Sequence, residues 1–460
     1  MGGDGRRASS AELGASHAEI TWLGDAMQQR NFDRSLWRVS AVVLILLAAP
    51  AARAAARQLT AADLERLALE RNRELLSTRQ EIAAARGFVT QSRLRPNPGL
   101  DVTFETGRPL GSRGEREIEI GYAHTFETAG KRTRRIDVAR VGVEIAELEV
   151  ADRERHLRAD VRIRFAEVLS ARRNLEVLRD LAGLTDRASR ATQQRVAEGE
   201  AAPVERALLQ VELGRLTADR ILSESAAARA LGALRLTVGM DTDEPLTLAG
   251  DLTQSRQAVT LESAMASALE QRPDLRAARA AERQAEAEVA LARAERTPDV
   301  IGIARYSQSD SRFDLFGTTA SGQLAPVVDR DHTLTVGVSI PLPFANRNQG
   351  HIETAQARRQ AAMQRRQFIE DVVRTEVRAA YEQYVASADA LRTFDADVVM
   401  QAQEGMTVIR ATYELGEVPL LDLLQEQRRL VDTQRAYTEI LKDHYIAGAV
   451  LVQAIGAEVK

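Results

Sequence analysis

Histidine is the residue type in this chain best suited to metal chemistry, but the spacing of the histidines does not match that of a high-affinity metal site. The 460-residue chain has six histidines and no cysteine. No two histidines stand four apart, as paired ligands on a helix would, and none belongs to a carboxylate-flanked motif. We therefore expect no high-affinity metal site. The six residues are His17, His124, His156, His332, His351 and His444.

Patterns for catalysis are also missing. The sequence has no phosphate-binding loop, no nucleophile elbow and no His-centred triad pattern, so we expect neither catalytic residues nor a cofactor. Its net charge is −4, from 62 basic and 66 acidic residues. Without a clustered basic excess, nucleic acid is not expected as a partner. The chain is predicted not to be an enzyme.

The predicted secondary-structure elements of the chain occur twice. Residues 59–105 align with residues 259–305, and Leu75 falls on Leu275. A repeat of this length determines the architecture of the chain. Each copy is predicted to contain a helix, a strand pair, a long helix, a tight turn and a second long helix. The predicted segments are a first repeat at 57–238, a linker at 239–258 and a second repeat at 259–456.

Long helices dominate the prediction. Apolar residues recur at helical spacing from about 136 to 197 and from about 352 to 413. Sixty helical residues extend about 90 Å, so these helices must pack side by side in a long bundle or tube. Each run ends at a glycine turn followed by proline, the pattern of a helix stop and restart. The hairpin tips are therefore placed near Gly199 and Gly416.

A period of two replaces the helical period at about 99–125 and 299–341, which predicts two strand pairs with a polar loop from Gln308 to Asp331. Each strand has one apolar and one polar face. Strands in a membrane cannot leave open edges in hydrocarbon. Three copies would supply twelve strands, an even number within the range of outer-membrane barrels. On alternation alone, a soluble sheet packed on the helices remains an alternative.

The N-terminus predicts export. Basic residues precede a short apolar run, Val39–Leu47, and Ala52-Arg53-Ala54 fits a cleavage site. We assign a signal peptide to 27–56 and a non-native extension to 1–26. Without cysteine, neither a disulfide nor a lipid anchor is expected.

Two motifs at strand exits give a family resemblance. Ile340–Gly350 reads IPLPFANRNQG, and its degenerate partner Phe126–Arg132 reads FETAGKR. With the repeat, they make residues 59–456 resemble the TolC-type outer-membrane efflux family, most of all its CzcC-like branch, which serves heavy-metal cation pumps. The resemblance implies a mainly α chain with a small β part. It implies a homotrimer whose chains each add four transmembrane β-strands to a twelve-stranded outer-membrane β-barrel above a periplasmic barrel of α-helical hairpins.

The resemblance also implies functional positions. The tips would dock onto a periplasmic adaptor (membrane fusion) protein, beneath which an inner-membrane RND-type pump supplies the energy. Asp422 matches the first acid of the family's lumen-facing Asp-x-x-Asp pair, whereas Gln425 replaces the second. A threefold ring of Asp422 would favour cations. The tip residues are Gly199, Glu200, Gly416 and Glu417, and the corner residues are Pro341, Pro343, Arg347, Gln349 and Gly350.

We expect the corner residues to have a structural role in the bend between barrel and helix. Arg347 and Lys131-Arg132 could also meet outer-membrane lipid headgroups or cap carbonyls. The predicted function is a passive outer-membrane exit duct for heavy-metal cations. Two alternatives stay open: a duct of the same family for drugs or proteins, and a periplasmic coiled-coil scaffold or adaptor without a channel.

Overall fold

The computed structural model of the protein describes residues 58–111, 114–253, 259–394 and 396–456. The predicted signal peptide and N-terminal extension lie outside these residues. Most of the described chain is helical, as predicted. The helices are α1 (Ala61–Arg71), α2 (Arg73–Arg93), α3 (Lys131–Ala197), α4 (Pro203–Val238), α5 (Leu261–Gln271), α6 (Pro273–Glu295), α7 (Gln349–Thr393), α8 (Ala396–Glu414) and α9 (Leu420–Ile455).

The repeat is visible in the first helix of each copy. In α1 the Thr60 hydroxyl accepts a hydrogen bond from the backbone N–H of Asp63 at 3.2 Å, and in α5 Thr260 accepts one from Ser263 at 3.2 Å. A threonine at the N-cap satisfies a backbone donor that the helix leaves free. Asn72 ends α1 and caps α2, so the helical pattern of residues 60–95 forms two helices.

Each repeat ends at a glycine whose position no other residue type can occupy without strain. Gly239 after α4 and Gly456 after α9 have φ of +81° and +79°. A Cβ on Gly239 would stand 2.5 Å from the carbonyl oxygen of Arg71, and one on Gly456 would stand 2.8 Å from Cγ of Arg272. Left-handed φ and close approach both exclude a side chain. The end of each repeat therefore packs on the turn between its own first two helices.

The long helix of the first repeat is continuous, whereas that of the second is broken. Helix α3 has 67 residues, and apolar residues that recur along it at helical spacing are buried. In the second repeat the prediction of one helix was wrong, because Phe394 has φ −112° and ψ 70° and ends α7. The Phe394 ring stacks on Tyr437 of α9 at 6.4 Å. The buried core residues of α3 are Leu157, Val161, Phe165, Val168, Leu175 and Leu178.

The strands are β1 (Gln58–Leu59), β2 (Gly99–Thr106), β3 (Arg116–Phe126), β4 (Thr247–Leu248), β5 (Val300–Thr318) and β6 (Leu324–Ser339). Four of them form one antiparallel sheet in the order β2-β3-β5-β6, which leaves β2 and β6 as open edges. The predicted polar loop from Gln308 to Asp331 was wrong: pairing continues to Thr318 opposite Leu324, with an irregularity between Arg312 and Phe316. Polar composition suggested a loop, but a paired backbone tolerates polar side chains in water. The short strands β1 and β4 pair in parallel.

No helix within the described ranges is long and apolar enough to cross a membrane.

Candidate functional site

The four-stranded sheet exposes its apolar face. One row across the sheet joins Val102, Ile120, Tyr306 and Leu334, and these side chains are 44–73% exposed. Side chains of one row share a face. A sheet in water would bury such a face against a core. This sheet instead has the outward apolar surface that lipid requires, and the register places Tyr306 of β5 in that surface.

The opposite face is acidic. Glu105 lies directly opposite Glu117, and Asp331 occupies the same row two strands away. Like charges directly opposite each other destabilise a sheet, so stability does not explain them. Among the paired residues of this face before the irregularity in β5, six carboxylates accompany one guanidinium, that of Arg305, whose Nε lies 3.9 Å from Glu119 Oε1. The carboxylates belong to Asp101, Glu105, Glu117, Glu119, Asp329 and Asp331.

A charged row crosses the apolar face at the outer end of β3. Asp310 Oδ2 lies 2.6 Å from Arg116 Nε, and its Oδ1 lies 2.7 Å from Arg330 Nε. Two rows closer to the helices, the Tyr306 hydroxyl lies 2.7 Å from Nδ1 of His332, which belongs to the row in between. Amphipathic aromatics followed by charges are typical of the boundary between hydrocarbon and water. We call this row the charged rim, and it consists of Arg116, Asp310 and Arg330.

At the other end of the sheet, Asp299 organises the first strand-to-helix corner. Its Oδ1 accepts hydrogen bonds from the Thr128 backbone N–H at 2.9 Å and from Lys131 Nζ at 2.7 Å. Burial pushes the pKa of Asp299 upward, but these donors outweigh it and hold the pKa below its ordinary value. Arg132 Nε donates to the carbonyl oxygen of Arg93, the last residue of α2, at 2.7 Å. Lys131 and Arg132 therefore pair with a carboxylate and cap a carbonyl.

The second corner uses its amides in the same way. Asn348 has φ +58° and donates from Nδ2 to the Ala292 carbonyl of α6 at 2.8 Å. The Gln349 side chain accepts from the Arg347 backbone N–H at 2.7 Å. These bonds hold the backbone in the turn that starts α7. The remaining predicted corner residues, Pro341, Pro343 and Gly350, are exposed, as is the side chain of Arg347.

The two hairpin tips have the same backbone geometry. Gly199 and Gly416 have φ of +83° and +78°. Just after them, the Glu200 N–H donates to Arg195 O at 2.8 Å and the Glu417 N–H donates to Thr412 O at 3.1 Å. This is the Schellman ending of a helix, which needs glycine in the left-handed region. Glu200 and Glu417 are exposed at the tips.

The tips lie side by side, because Leu209 of α4 packs in one apolar cluster with Leu420, Leu423 and Leu424 of α9. Asp422 and Gln425 lie on the opposite, exposed face of α9. Helical spacing of three puts both on one stripe. The structure thus brings the two predicted residues together on a free face of the chain.

Polar contacts between the hairpins were missed by the sequence reasoning. Glu212, only 3% exposed, contacts Arg215 of its own helix at 2.6 Å and Arg428 of α9 at 2.9 Å. Burial raises the pKa of Glu212, but hydrogen bonds from both arginines outweigh it, and the pKa is lowered. The sequence contains one indication of this contact. Glu212 lies at helical spacing from the apolar residues Leu209 and Leu216, and a charged residue at such a core position needs a partner.

Two further contacts link the hairpins near the tips. Gln427 Nε2 of α9 donates to Thr185 Oγ1 of α3 at 2.6 Å, in a buried setting. The Tyr413 hydroxyl of α8 donates to Glu205 of α4 at 3.2 Å. Burial, the largest cause, raises the pKa of the Tyr413 hydroxyl, so it remains a donor at neutral pH. Pairings of this kind depend on the register between helices that are more than two hundred residues apart in the chain.

Within the described ranges, no three residues drawn from His, Cys, Asp and Glu are grouped so that they could hold a metal ion. His332 contacts Tyr306, and His444 is buried beside Ser387, with 3.0 Å between Nδ1 and Oγ. The predicted absence of a high-affinity metal site stays a prediction.

Comparison with known proteins gives a family match along most of the chain. The model of the family described as "Outer membrane efflux protein" matches residues 64–240 and 264–457. The chain is 26% identical to the cobalt-zinc-cadmium resistance protein CzcC of Cupriavidus metallidurans, over 88% of this chain and 91% of that protein. It is 24% identical to the outer membrane protein TolC of Vibrio cholerae, over 86% and 90% of the two chains.

A third relative, the nickel-cobalt-cadmium resistance protein NccC of Alcaligenes xylosoxydans xylosoxydans, is 27% identical over 82% of this chain and 81% of its own. Among solved structures, the channel protein CusC superposes with a TM-score of 0.69 over 86% of this chain and 92% of CusC, at 18% identity. At that identity the likeness shows a shared fold.

Proposed function

The chain belongs to the outer membrane efflux protein family, and from that premise we propose that it is the outlet of a tripartite pump for heavy-metal cations. Membership makes it an outer-membrane efflux channel with a periplasmic helical tunnel, and not an enzyme, as the sequence predicted. It also excludes the periplasmic scaffold or adaptor considered above. The cargo, the partners and the roles of single residues are the proposal.

The proposal that the exported substrate is a cation rests on the acidic face of the sheet. If the apolar face meets lipid, the face with six carboxylates and one guanidinium lines the water-filled interior. Rings of acidic side chains favour cations over anions in a pore. The like-charge pair Glu105–Glu117 costs stability, which supports a role in conduction. The metal-resistance names of two relatives point to the same cargo class.

The open sheet edges support the homotrimer. Strands β2 and β6 each have an unpaired edge in a single chain, and unsatisfied backbone groups in hydrocarbon cost several kcal/mol each. Pairing β2 of one copy with β6 of the next closes a ring without an edge. Three copies give twelve strands, and their helical hairpins would continue the tube into the periplasm.

The tips support a docking role. They present Glu200 and Glu417 on exposed glycine turns at the end of the helices remote from the sheet. We infer that a periplasmic adaptor binds there and connects the channel to an inner-membrane pump of the RND type. Asp422, one turn from the second tip, would then stand at the channel entrance.

Two measurements test the cargo. Deletion of the gene should lower tolerance to cobalt, zinc or cadmium salts and leave tolerance to hydrophobic drugs unchanged. Sensitivity to drugs alone would overturn the cation assignment in favour of a drug duct of the same family. Secretion defects with normal metal tolerance would favour a protein duct.

The second measurement addresses the acidic face directly. In planar bilayers with a salt gradient, the reversal potential reports cation over anion preference. Glu105→Gln combined with Glu117→Gln should reduce that preference, because both charges line the interior. The matched control is Glu286→Gln, an exposed glutamate on α6 outside the sheet. Equal reversal potentials for the two variants would contradict the role of the acidic face.

A further inference from the structure

The second strand-to-helix corner is longer than the first, although each connects a strand to a long helix. The first corner passes from β3 to α3 through residues 127–130, whereas residues 340–348 separate β6 from α7. The longer corner includes Ile340, Leu342 and Phe344, which are 48%, 65% and 79% exposed. Exposed apolar side chains in such a group mark a contact surface.

These three residues continue the outward apolar face of β6. Val336 and Val338 on that face are 77% and 68% exposed. The strand ends at Ser339, but the alternation goes on through Ile340, Leu342 and Phe344. The residues between the last three are Pro341 and Pro343, so no polar side chain interrupts the surface. The lipid-facing face of the strand therefore extends into the corner.

Between the charged rim and the helices, the apolar rows of the strands are short for a bilayer. On β3 the apolar face runs from Ile118, the row next to the charged rim, to Phe126, which is eight residue steps. Eight steps of about 3.3 Å make about 26 Å along the strand, or about 20 Å along the membrane normal at a tilt of about 40°. The outward apolar band of such barrels is about 25 Å tall. One more row adds about 5 Å, and Leu342 stands one row beyond Ile340.

The backbone of the second corner has few N–H groups that need water as a hydrogen-bond partner, which suits a position near hydrocarbon. Pro341 and Pro343 have no N–H to satisfy, and the Phe344 N–H donates to the Leu342 carbonyl at 3.0 Å. Unsatisfied backbone donors near hydrocarbon are costly. Three residues later, the exposed Arg347 provides a long cationic side chain that can reach toward lipid phosphates from an apolar base.

We propose that Ile340, Leu342 and Phe344 insert into the periplasmic leaflet of the outer membrane and anchor the channel at its inner boundary, with Arg347 at the phosphate level. The occupant of this surface is phospholipid, because the surface is continuous with the lipid-facing sheet. The inference rests on the outer-membrane placement of the sheet and does not depend on the cargo.

A single-tryptophan reporter tests the anchor. The chain has two tryptophans, Trp22 and Trp37, and both precede the predicted mature start. Replacing both with Phe and introducing Phe344→Trp leaves one indole whatever the processing. The protein is reconstituted into phosphatidylcholine vesicles brominated near the headgroup end of the acyl chains. We expect Phe344→Trp to lose most of its fluorescence relative to unbrominated vesicles.

Two matched reporters separate the outcomes. Phe104→Trp, on the apolar face of β2 and 64% exposed, should be quenched by the brominated lipid, whereas Phe368→Trp, on α7 and 55% exposed, should not. Quenching of Phe344→Trp by aqueous iodide alone would show a solvent-exposed corner and overturn the proposal. Resistance to both quenchers would mean that protein covers the corner, which also overturns it. An unquenched Phe104→Trp would refute the membrane placement on which the proposal rests.

Discussion

Glu212 of α4 and Arg428 of α9 form an ion pair, with 2.9 Å between Oε2 and Nη2, that joins the return helices of the two hairpins. The Glu212 side chain is 3% exposed, so its charge depends on Arg428 and Arg215 for compensation. The pair therefore connects the position of one hairpin tip to that of the other.

Arg428→Ala should loosen the contact between the tips. Arg428 is more than half exposed and Arg215 remains with Glu212, so the loss is about 1 kcal/mol or less. A coupling of that size corresponds to about a fivefold change in an opening equilibrium. We expect more frequent open events in single-channel recordings. The control is Arg429→Ala, a 78% exposed neighbour that lies 3.9 Å from Glu426; the same behaviour in both variants would contradict a closing role for the pair.

Acid should weaken the same contact. The pKa of Glu212 lies below its ordinary value because Arg215 and Arg428 outweigh burial. A carboxyl with a lower pKa in the folded than in the unfolded state adds stability above the unfolded pKa and loses it as the pH falls through the folded pKa. The contact should persist at neutral pH and fail only below the ordinary glutamate range, about 4.3. In channel recordings from neutral to acidic pH, Glu212→Gln should lack this acid-dependent component; an unchanged acid response would assign it to another group.

The sequence predicted the helices and the four strands, because each depends on local periodicity, and it predicted the repeat because the two copies align. It missed the length of β5 and β6, since polar residues from Gln308 onward look like a loop even when their backbone is paired. It missed the break at Phe394, because neither Pro nor Gly stands between Ala390 and Ala396. Contacts such as Glu212–Arg428 require the register between distant helices, which no local pattern supplies.

The two closing glycines give a matched stability test. Gly239→Ala would place Cβ 2.5 Å from the Arg71 carbonyl oxygen at a φ of +81°. Left-handed backbone alone costs an ordinary residue about 1–2 kcal/mol, and the contact with backbone adds to that. We expect a clear drop in the melting temperature of the detergent-solubilised protein. Gly456→Ala should act similarly through Arg272.

The control for this test is Gly232→Ala. Gly232 lies inside α4, and a Cβ there meets nothing within 4 Å. Alanine in a helix interior is more favourable than glycine by about 0.5–1 kcal/mol. This variant should melt at the same temperature or higher. A Gly239→Ala protein as stable as Gly232→Ala would show that the packing of the repeat end on the α1–α2 turn is dispensable.

Asp422 allows the proposed cation path to be tested at its entrance. In a trimer, the exposed face of α9 would place three copies of Asp422 around one axis close to the tips. At an effective dielectric constant of about 20 and a distance of about 8 Å, each carboxylate attracts a unit charge by about 2 kcal/mol. Asp422→Ala should therefore weaken channel block by a multivalent cation by about tenfold or more, because 1.36 kcal/mol already corresponds to a factor of ten.

Two further positions on α9 provide comparisons for Asp422→Ala. Gln425→Asp adds a second acid on the same stripe, one helical turn away, and should strengthen the block. Asp432→Ala removes an exposed acid about 15 Å farther along the helix and should change the block little. If Asp422→Ala and Asp432→Ala behave alike and Gln425→Asp has no effect, the constriction does not lie at this turn. Because Asp422→Ala and Asp432→Ala make the same chemical change at two positions, the comparison locates the narrow point without assuming which cation the channel exports.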